Sequence, residues 1–242
     1  YMGQKTIQFG KYPQSVVTDQ AVIDALDKMT LGDKNSDGYY EYQGEEYAKE
    51  ICGFQSNKLS FEYGKAYYFK VEPISWEYVN GRYATSSVID FVDNYQLLDY
   101  LNGEFYDGLT DTEKSLVADT KTSEFNDNTR KFYLWSVQQY AQSYVDEYDK
   151  QRLTDYALFR DNTQSYRDDR FTSKVWLCNS LADDAAEYYE FQKSGGTLKW
   201  SNDAAYAGKC GLKICFNLDF KDIESKTSDK AIRVTFDTNG GN

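Results

Sequence analysis

The chain has 242 residues, with 27 Lys and Arg against 39 Asp and Glu, so it carries a formal net charge of −12, and it contains no histidine. Histidine triads, Cys-His dyads within the chain and imidazole metal sites are excluded, and the acidic balance argues against nucleic acid and anionic membrane surfaces, which draw on clustered cations. No uncharged apolar run approaches the ~18–20 residues of a spanning helix, so membrane insertion is not expected.

In chain order, residues 6–14 (TIQFGKYPQ) read as an opening strand that ends at Pro13. Thr18 is the expected N-cap of a helix through Met29, with Val22, Ile23, Leu26 and Met29 on one stripe. Residues 38–50 alternate around Gln43-Gly44 and predict a tight hairpin. Residues 66–79 (AYYFKVEPISWEYV) are the most strand-like stretch, with a break expected at Pro73. Asn80-Gly81 is a strong hairpin signal that returns the chain through 82–89. The middle turns helical: Leu97, Leu98 and Leu101 mark one short helix, and Thr110 with Glu113 has capping-box spacing for the next. Residues 132–135 (FYLW) are strand-like. Ser136 and Gln139 repeat the capping spacing before a helix carrying Tyr140, Tyr144 and Tyr148, and another short helix covers 154–160. Strands then return at 174–178, 187–192, 197–202 and 211–218, with Ser194-Gly195-Gly196 as a turn. Strands, helices and strands without strict alternation predict an α+β fold of antiparallel sheets with flanking short helices.

Of the 242 residues, 23 are tyrosine. Tyrosine packs a ring and keeps its hydroxyl wet, which suits ordinary strand faces and also surfaces that meet sugars or peptides. The four cysteines, Cys52, Cys178, Cys210 and Cys215, permit two disulfides in any of three connectivities, or packed thiols. Asp33-Lys34-Asn35-Ser36-Asp37-Gly38 matches the first half of a calcium loop, in which alternate oxygens face the ion. Its twelfth position is Gly44 rather than a bidentate Glu. Asp33, Asn35 and Asp37 are therefore either a Ca2+ site or a polar turn into the hairpin, and no other cofactor is implied. Trp200-Ser201-Asn202-Asp203 sets an indole beside oxygen-bearing side chains, and Trp176 with Asn179 repeats the pairing. Such pairs stack on a sugar face and bond its hydroxyls, or they are core tryptophans. Tyr188 and Tyr189 are outer candidates for the same ligand. With so many acids, some pair at glycosidase separation is guaranteed, so carboxylate spacing predicts nothing.

Several stretches together resemble the bacterial domain-of-unknown-function family numbered 6273, which occurs in surface proteins of gut Firmicutes. The matching runs are TIQFGKYPQ (6–14), GYYEYQGEEYAK (38–49), YYFKVEPISWEYV (67–79), LLDYLNGEFYDGLTDTEKSLV (97–117), KFYLWSVQQY (131–140), KVWL (174–177) and GLKICFNL (211–218). That family is similar to the formylglycine-generating-enzyme branch of the C-type lectin fold, so the resemblance implies a lectin-like core. Departures fall late in the chain: Cys178-Asn179-Ser180 stands where the family has Arg-Ser-Pro, and Gly211-Leu212-Lys213-Ile214-Cys215-Phe216 replaces Gly-Val-Arg-Pro-Ala-Leu. The oxidase branch carries its cysteines upstream of the last strand, whereas Cys215 lies within it, so catalytic cysteines are not carried over. Residues 232–241 resemble the start of a Listeria–Bacteroides-type repeat, which implies a wall-associated parent protein.

The expectation is therefore a lectin-like domain over residues 1–220 and a linker with a truncated β-repeat over 221–242. The expected role is extracellular, at the cell surface, and non-catalytic: binding a glycan or a surface-protein ligand through Trp176, Asn179, Tyr188, Tyr189, Trp200, Asn202 and Asp203. The rivals are a presentation module, a cysteine-dependent oxidase and a carboxylate hydrolase.

Overall fold

The computed structural model describes residues 6–53, 61–93, 96–121, 128–144, 151–161, 170–172, 174–178, 186–191, 198–201 and 209–219. Its strands are β1 (Thr6–Val16), β2 (Tyr40–Tyr42), β3 (Glu45–Ile51), β4 (Ala66–Val79), β5 (Arg82–Thr85) and β6 (Asp90–Val92) in the first part. There follow β7 (Thr120–Lys121), β8 (Thr129–Arg130), β9 (Phe132–Tyr133), β10 (Gln151–Arg152), β11 (Phe171–Thr172) and β12 (Val175–Cys178). The last are β13 (Ala186–Phe191), β14 (Leu198–Ser201), β15 (Cys210–Leu212) and β16 (Cys215–Phe216). Short helices α1 (Gln20–Asp27), α2 (Leu97–Tyr100), α3 (Asp111–Leu116), α4 (Val137–Ser143) and α5 (Asp155–Arg160) lie between them. The fold is mixed α+β, with mostly antiparallel sheets. Among the described residues, no helix is long and apolar enough to cross a membrane.

The larger sheet runs β2-β3-β4-β5-β16-β9, and β1 pairs with β4 from the other side. Local chemistry sets its hairpins. Gln43 and Gly44 take φ of 52° and 79°, and Asn80 and Gly81 take 48° and 84°. Two consecutive left-handed residues form the tight turn whose twist matches antiparallel strands. The second sheet runs β14-β13-β12-β15-β6, and its β12–β15 pair is parallel. One apolar cluster joins both sheets, from Trp76, Phe132 and Phe216 on the first to Phe91, Trp176 and Leu212 on the second. Phe216 stacks on Phe9 with ring centroids 5.0 Å apart and meets Trp76 edge-on at 4.8 Å. Each such ring contributes about 1.5–3 kcal/mol by leaving water.

Several boundaries differ from expectation. Asp19, rather than Thr18, caps α1 by accepting from the Ala21 amide, and the helix ends at Asp27. The apolar stripe is as expected: Leu26 is buried, and Val22, Ile23 and Met29 pack beside it. β1 continues through Pro13 to Val16, because β1 pairs only with β4 among the described strands and bulges after Gln8 and after Pro13. An edge strand with bulges tolerates the missing amide. β4 likewise runs unbroken through Pro73, which sits opposite Lys11. Finally, the single strand expected at 211–218 is two strands in two sheets, with Lys213 and Ile214 in the crossing between them.

Candidate functional site

Beside the bulge in β1 lie two adjoining hollows of about 350 Å³ and about 190 Å³ that share Tyr12, Tyr39 and Tyr100 as walls. Three pieces of chain build its larger hollow, and Ala48, Lys49 and Glu50 of β3 with Tyr156 of α5 add walls to the smaller one. β1 brings Lys11 and Tyr12. The loop before β2 brings Asp37 and Tyr39. The helical stretch that begins as α2 and widens into a π-turn at Leu101–Phe105 brings Tyr100, Glu104 and Asp107. These last three recur at i, i+4 and i+7, the spacing of one helix face.

The loop is shaped by Asn35. Its Oδ1 accepts from the amides of Asp37 and Tyr39 at 3.1 and 3.0 Å, and its Nδ2 donates to Glu41 at 3.0 Å. This side-chain turn presents Tyr39 toward Lys11, whose Nζ lies 5.8 Å from the ring centroid. Lys11 is neutralised by Asp37 at 2.6 Å and Glu46 at 2.9 Å. The helical wall is anchored by the capping box of α3. Thr110 accepts from the Glu113 amide, and Glu113 returns one oxygen to the Thr110 amide while the other accepts from Gly10 of β1 at 2.9 Å.

Beneath the tyrosines runs a buried network. The Tyr12 hydroxyl donates to Asp90 at 2.6 Å, and Arg160 Nε donates to the other Asp90 oxygen at 2.9 Å. The Tyr156 hydroxyl donates to Glu50 at 2.9 Å, and its ring meets that of Tyr12 edge-on. Burial lifts the Asp90 carboxyl above the usual range, and Arg160 and the Tyr12 hydroxyl oppose that lift. Burial, with Asp90's charge behind it, holds the Tyr12 hydroxyl protonated well above its ordinary value, and burial pushes Tyr100 up to about 12. The cleft therefore offers neutral phenols and exposed carboxylates, with Lys11 already paired and Lys34 and Lys49 lining the smaller hollow.

Of the residues expected to bind ligand, Trp176 stands apart from this cleft. Trp176 is 1% exposed in the main core, with its indole nitrogen donating to the Val92 carbonyl at 2.7 Å, so neither ring face is open for stacking. Tyr188 stands opposite Trp176 in the β12–β13 register, and Tyr189 stands opposite Trp200 in β13–β14. Asn179, Asn202 and Asp203 lie outside the described residues. Of the calcium-loop residues, Asp33 closes a capping box with Thr30, Asn35 makes the turn above, and Asp37 pairs with Lys11 on the cleft rim. Among the described residues, no group of three or more Asp, Glu, Cys or His is placed to hold a metal ion. All four cysteines are buried thiols, with Cys210 and Cys215 on strands of different sheets. Tyr12, Tyr39 and Tyr100 were not singled out by sequence; their only signal was the tyrosine surplus, which gives no position.

A larger hollow of about 600 Å³ under α1 is more apolar, but its walls Phe61 and Arg170 border residues outside those described, and no site is assigned to it. No protein-family model, curated protein or solved structure matches this chain.

Proposed function

We propose that this chain is an extracellular, non-catalytic binding module of a bacterial cell-surface protein, with a C-type-lectin-like core, and that the tyrosine cleft takes a glycan, free or carried on a protein. The observation that carries this reading is the convergence of Tyr12, Tyr39 and Tyr100 with Asp37, Glu104 and Asp107 in one open hollow. A pyranose has an apolar face and a rim of hydroxyls. Tyrosine rings pack against the face, and carboxylates accept from the rim. At about 350 Å³, this hollow falls within the ~300–1,000 Å³ usual for small-molecule sites. The resemblance to surface proteins of gut Firmicutes and to the lectin fold supports this role and the extracellular location.

The test is a glycan-array screen of the whole chain, in calcium and then in chelator, followed by titration of any hit against Tyr39→Ala and Tyr100→Ala. Each truncation is expected to weaken binding by about 2 kcal/mol, the cost of losing a central aromatic anchor. Calcium dependence adds Asp33, Asn35 and Asp37 as a metal site; equal binding in chelator removes the metal and keeps the cleft. Glycan binding unaffected by either tyrosine change moves the site toward Trp200, Asn202 and Asp203. An array silent in both conditions overturns the glycan reading in favour of a presentation module.

A further inference from the structure

The crossing between β15 and β16 carries Lys213 into the interior, where its side chain is 1% exposed. Its Nζ lies 2.7 Å from Oε1 of Gln151, a residue itself 5% exposed, and 3.9 Å from a carboxylate oxygen of Glu77. The same Glu77 oxygen accepts from the Tyr144 hydroxyl at 3.2 Å, and the Tyr144 ring centroid is 4.7 Å from Nζ. An amine, a carboxamide and a carboxylate are thus enclosed together behind an aromatic wall. Because a carbonyl bond is about 1.2 Å long, the carboxamide carbon lies within about 4 Å of the amine. Fixed neighbours at such a distance react as if at very high concentration.

The geometry points to an intramolecular isopeptide bond between Lys213 and Gln151, with Glu77 as the proton relay. Glu77 takes a proton from Nζ. The amine lone pair forms the Nζ–Cδ bond, Glu77 returns that proton to Nε2, and as the Cδ–Nε2 bond breaks the second proton shed by Nζ passes by way of Glu77 to the departing nitrogen, which leaves as ammonium. No oxidant or co-reactant is consumed, and Glu77 ends as it began. Glu77 has the outward-facing side chain of the three, 19% exposed, which gives ammonium its way out. Tyr144 is a positioning residue that holds the carboxylate. The bond would tie the β10–β11 ribbon to the crossing between the two sheets and close a long loop of chain, a restraint that acts chiefly on the unfolded state.

The measurement is the intact mass of the native full chain after incubation at neutral pH, with a digest sequenced by fragmentation. The expected result is a chain lighter than its sequence by one ammonia, and a branched peptide joining Lys213 to Gln151. Cyclisation at Asn80-Gly81 or Asn239-Gly240 loses the same mass. Lys213→Met and Gln151→Leu must therefore abolish the loss, and Glu77→Gln, which keeps side-chain shape, must abolish or greatly slow it. A wild-type digest that yields linear peptides for both residues overturns the proposal, as does a mass loss wholly retained in Lys213→Met. Branched peptide formed at full rate in Glu77→Gln overturns the role of Glu77.

Discussion

Two buried polar networks flank the same core, and they solve the cost of a buried charge in opposite ways. Under the cleft, Arg160 and Asp90 bond directly at 2.9 Å; the carboxylate is the enclosed partner, at 3% side-chain exposure, and the guanidinium reaches outward at 29%. In the interior, the cation is the enclosed partner, Glu77 reaches outward, and 3.9 Å separates their charges while a neutral amide takes the short bond. The first arrangement satisfies Asp90 with charge-assisted bonds and is a fixed floor for the tyrosines. The second leaves its amine hydrogen-bonded to a carboxamide, with an electrophilic carbon as near as its counter-charge. One network holds position, and the other is set up to react.

The largest expected effect comes from breaking the first network at its cation. Arg160→Met leaves the Asp90 carboxylate in the core with only the Tyr12 hydroxyl and a backbone amide. Losing one partner of a buried pair costs about 3–5 kcal/mol. The urea midpoint should fall accordingly with an unchanged slope, whereas a change below about 1 kcal/mol would mean that the floor is hydrated in solution.

A paired deletion sharpens the contrast. Tyr12→Phe removes a bond to a buried carboxylate at 2.6 Å, and Tyr144→Phe removes one at 3.2 Å to a carboxylate that reaches solvent. Both acceptors are carboxylates, and hydrogen bonds to charged groups are worth about 1.5–3 kcal/mol, with the shorter, more buried one at the upper end. Tyr12→Phe should be the more destabilising of the two by urea unfolding. Equal losses would remove the distinction between the networks.

Raising pH acts on both at once. Burial lifts the hydroxyl pKa of Tyr12, Tyr156 and Tyr144, and lifts that of Tyr100 from 10.0 to about 12. Their folded values exceed the unfolded one, so the native state holds these protons more tightly. That contribution is full below pH 10 and disappears as pH rises through the folded values. Thermal midpoints should fall above pH 10, and the tyrosinate absorbance of these residues should appear with unfolding. A complete tyrosine titration near pH 10 with the fold retained would contradict their burial.

Legibility followed the range of the interactions. Both hairpin turns and the Thr110–Glu113 capping box could be read directly, because each is decided within four residues. The split at Lys213 was hidden: Leu212, Lys213, Ile214, Cys215 and Phe216 are all buried, so period-two alternation carries no mark of a change of sheet. The cleft was hidden for another reason. Tyr12, Tyr39 and Tyr100 meet only through the β1–β4 pairing and the seat of the helical stretch on β1, and no local spacing announces either. Trp176 shows the converse, since an indole next to polar residues reads alike whether it faces solvent or stands in a core.

The smallest expected effect tests where the comparison ends. Lys11 and Asp37 also form a short ion pair, at 2.6 Å, yet their side chains are 37% and 46% exposed. Water and salt screen such a pair, and exposed pairs typically contribute about 0.2–1 kcal/mol. Asp37→Asn should therefore shift the urea midpoint by less than about 1 kcal/mol, and the shift should shrink further as salt is raised. A loss as large as that of Arg160→Met would show that the loop before β2 belongs to the rigid floor rather than to the adjustable rim. Read alongside the glycan titration, the same variant separates two roles. If Asp37 only restrains Lys11, affinity follows stability and barely moves. If its carboxylate accepts from a sugar hydroxyl, affinity falls while the urea midpoint stays in place.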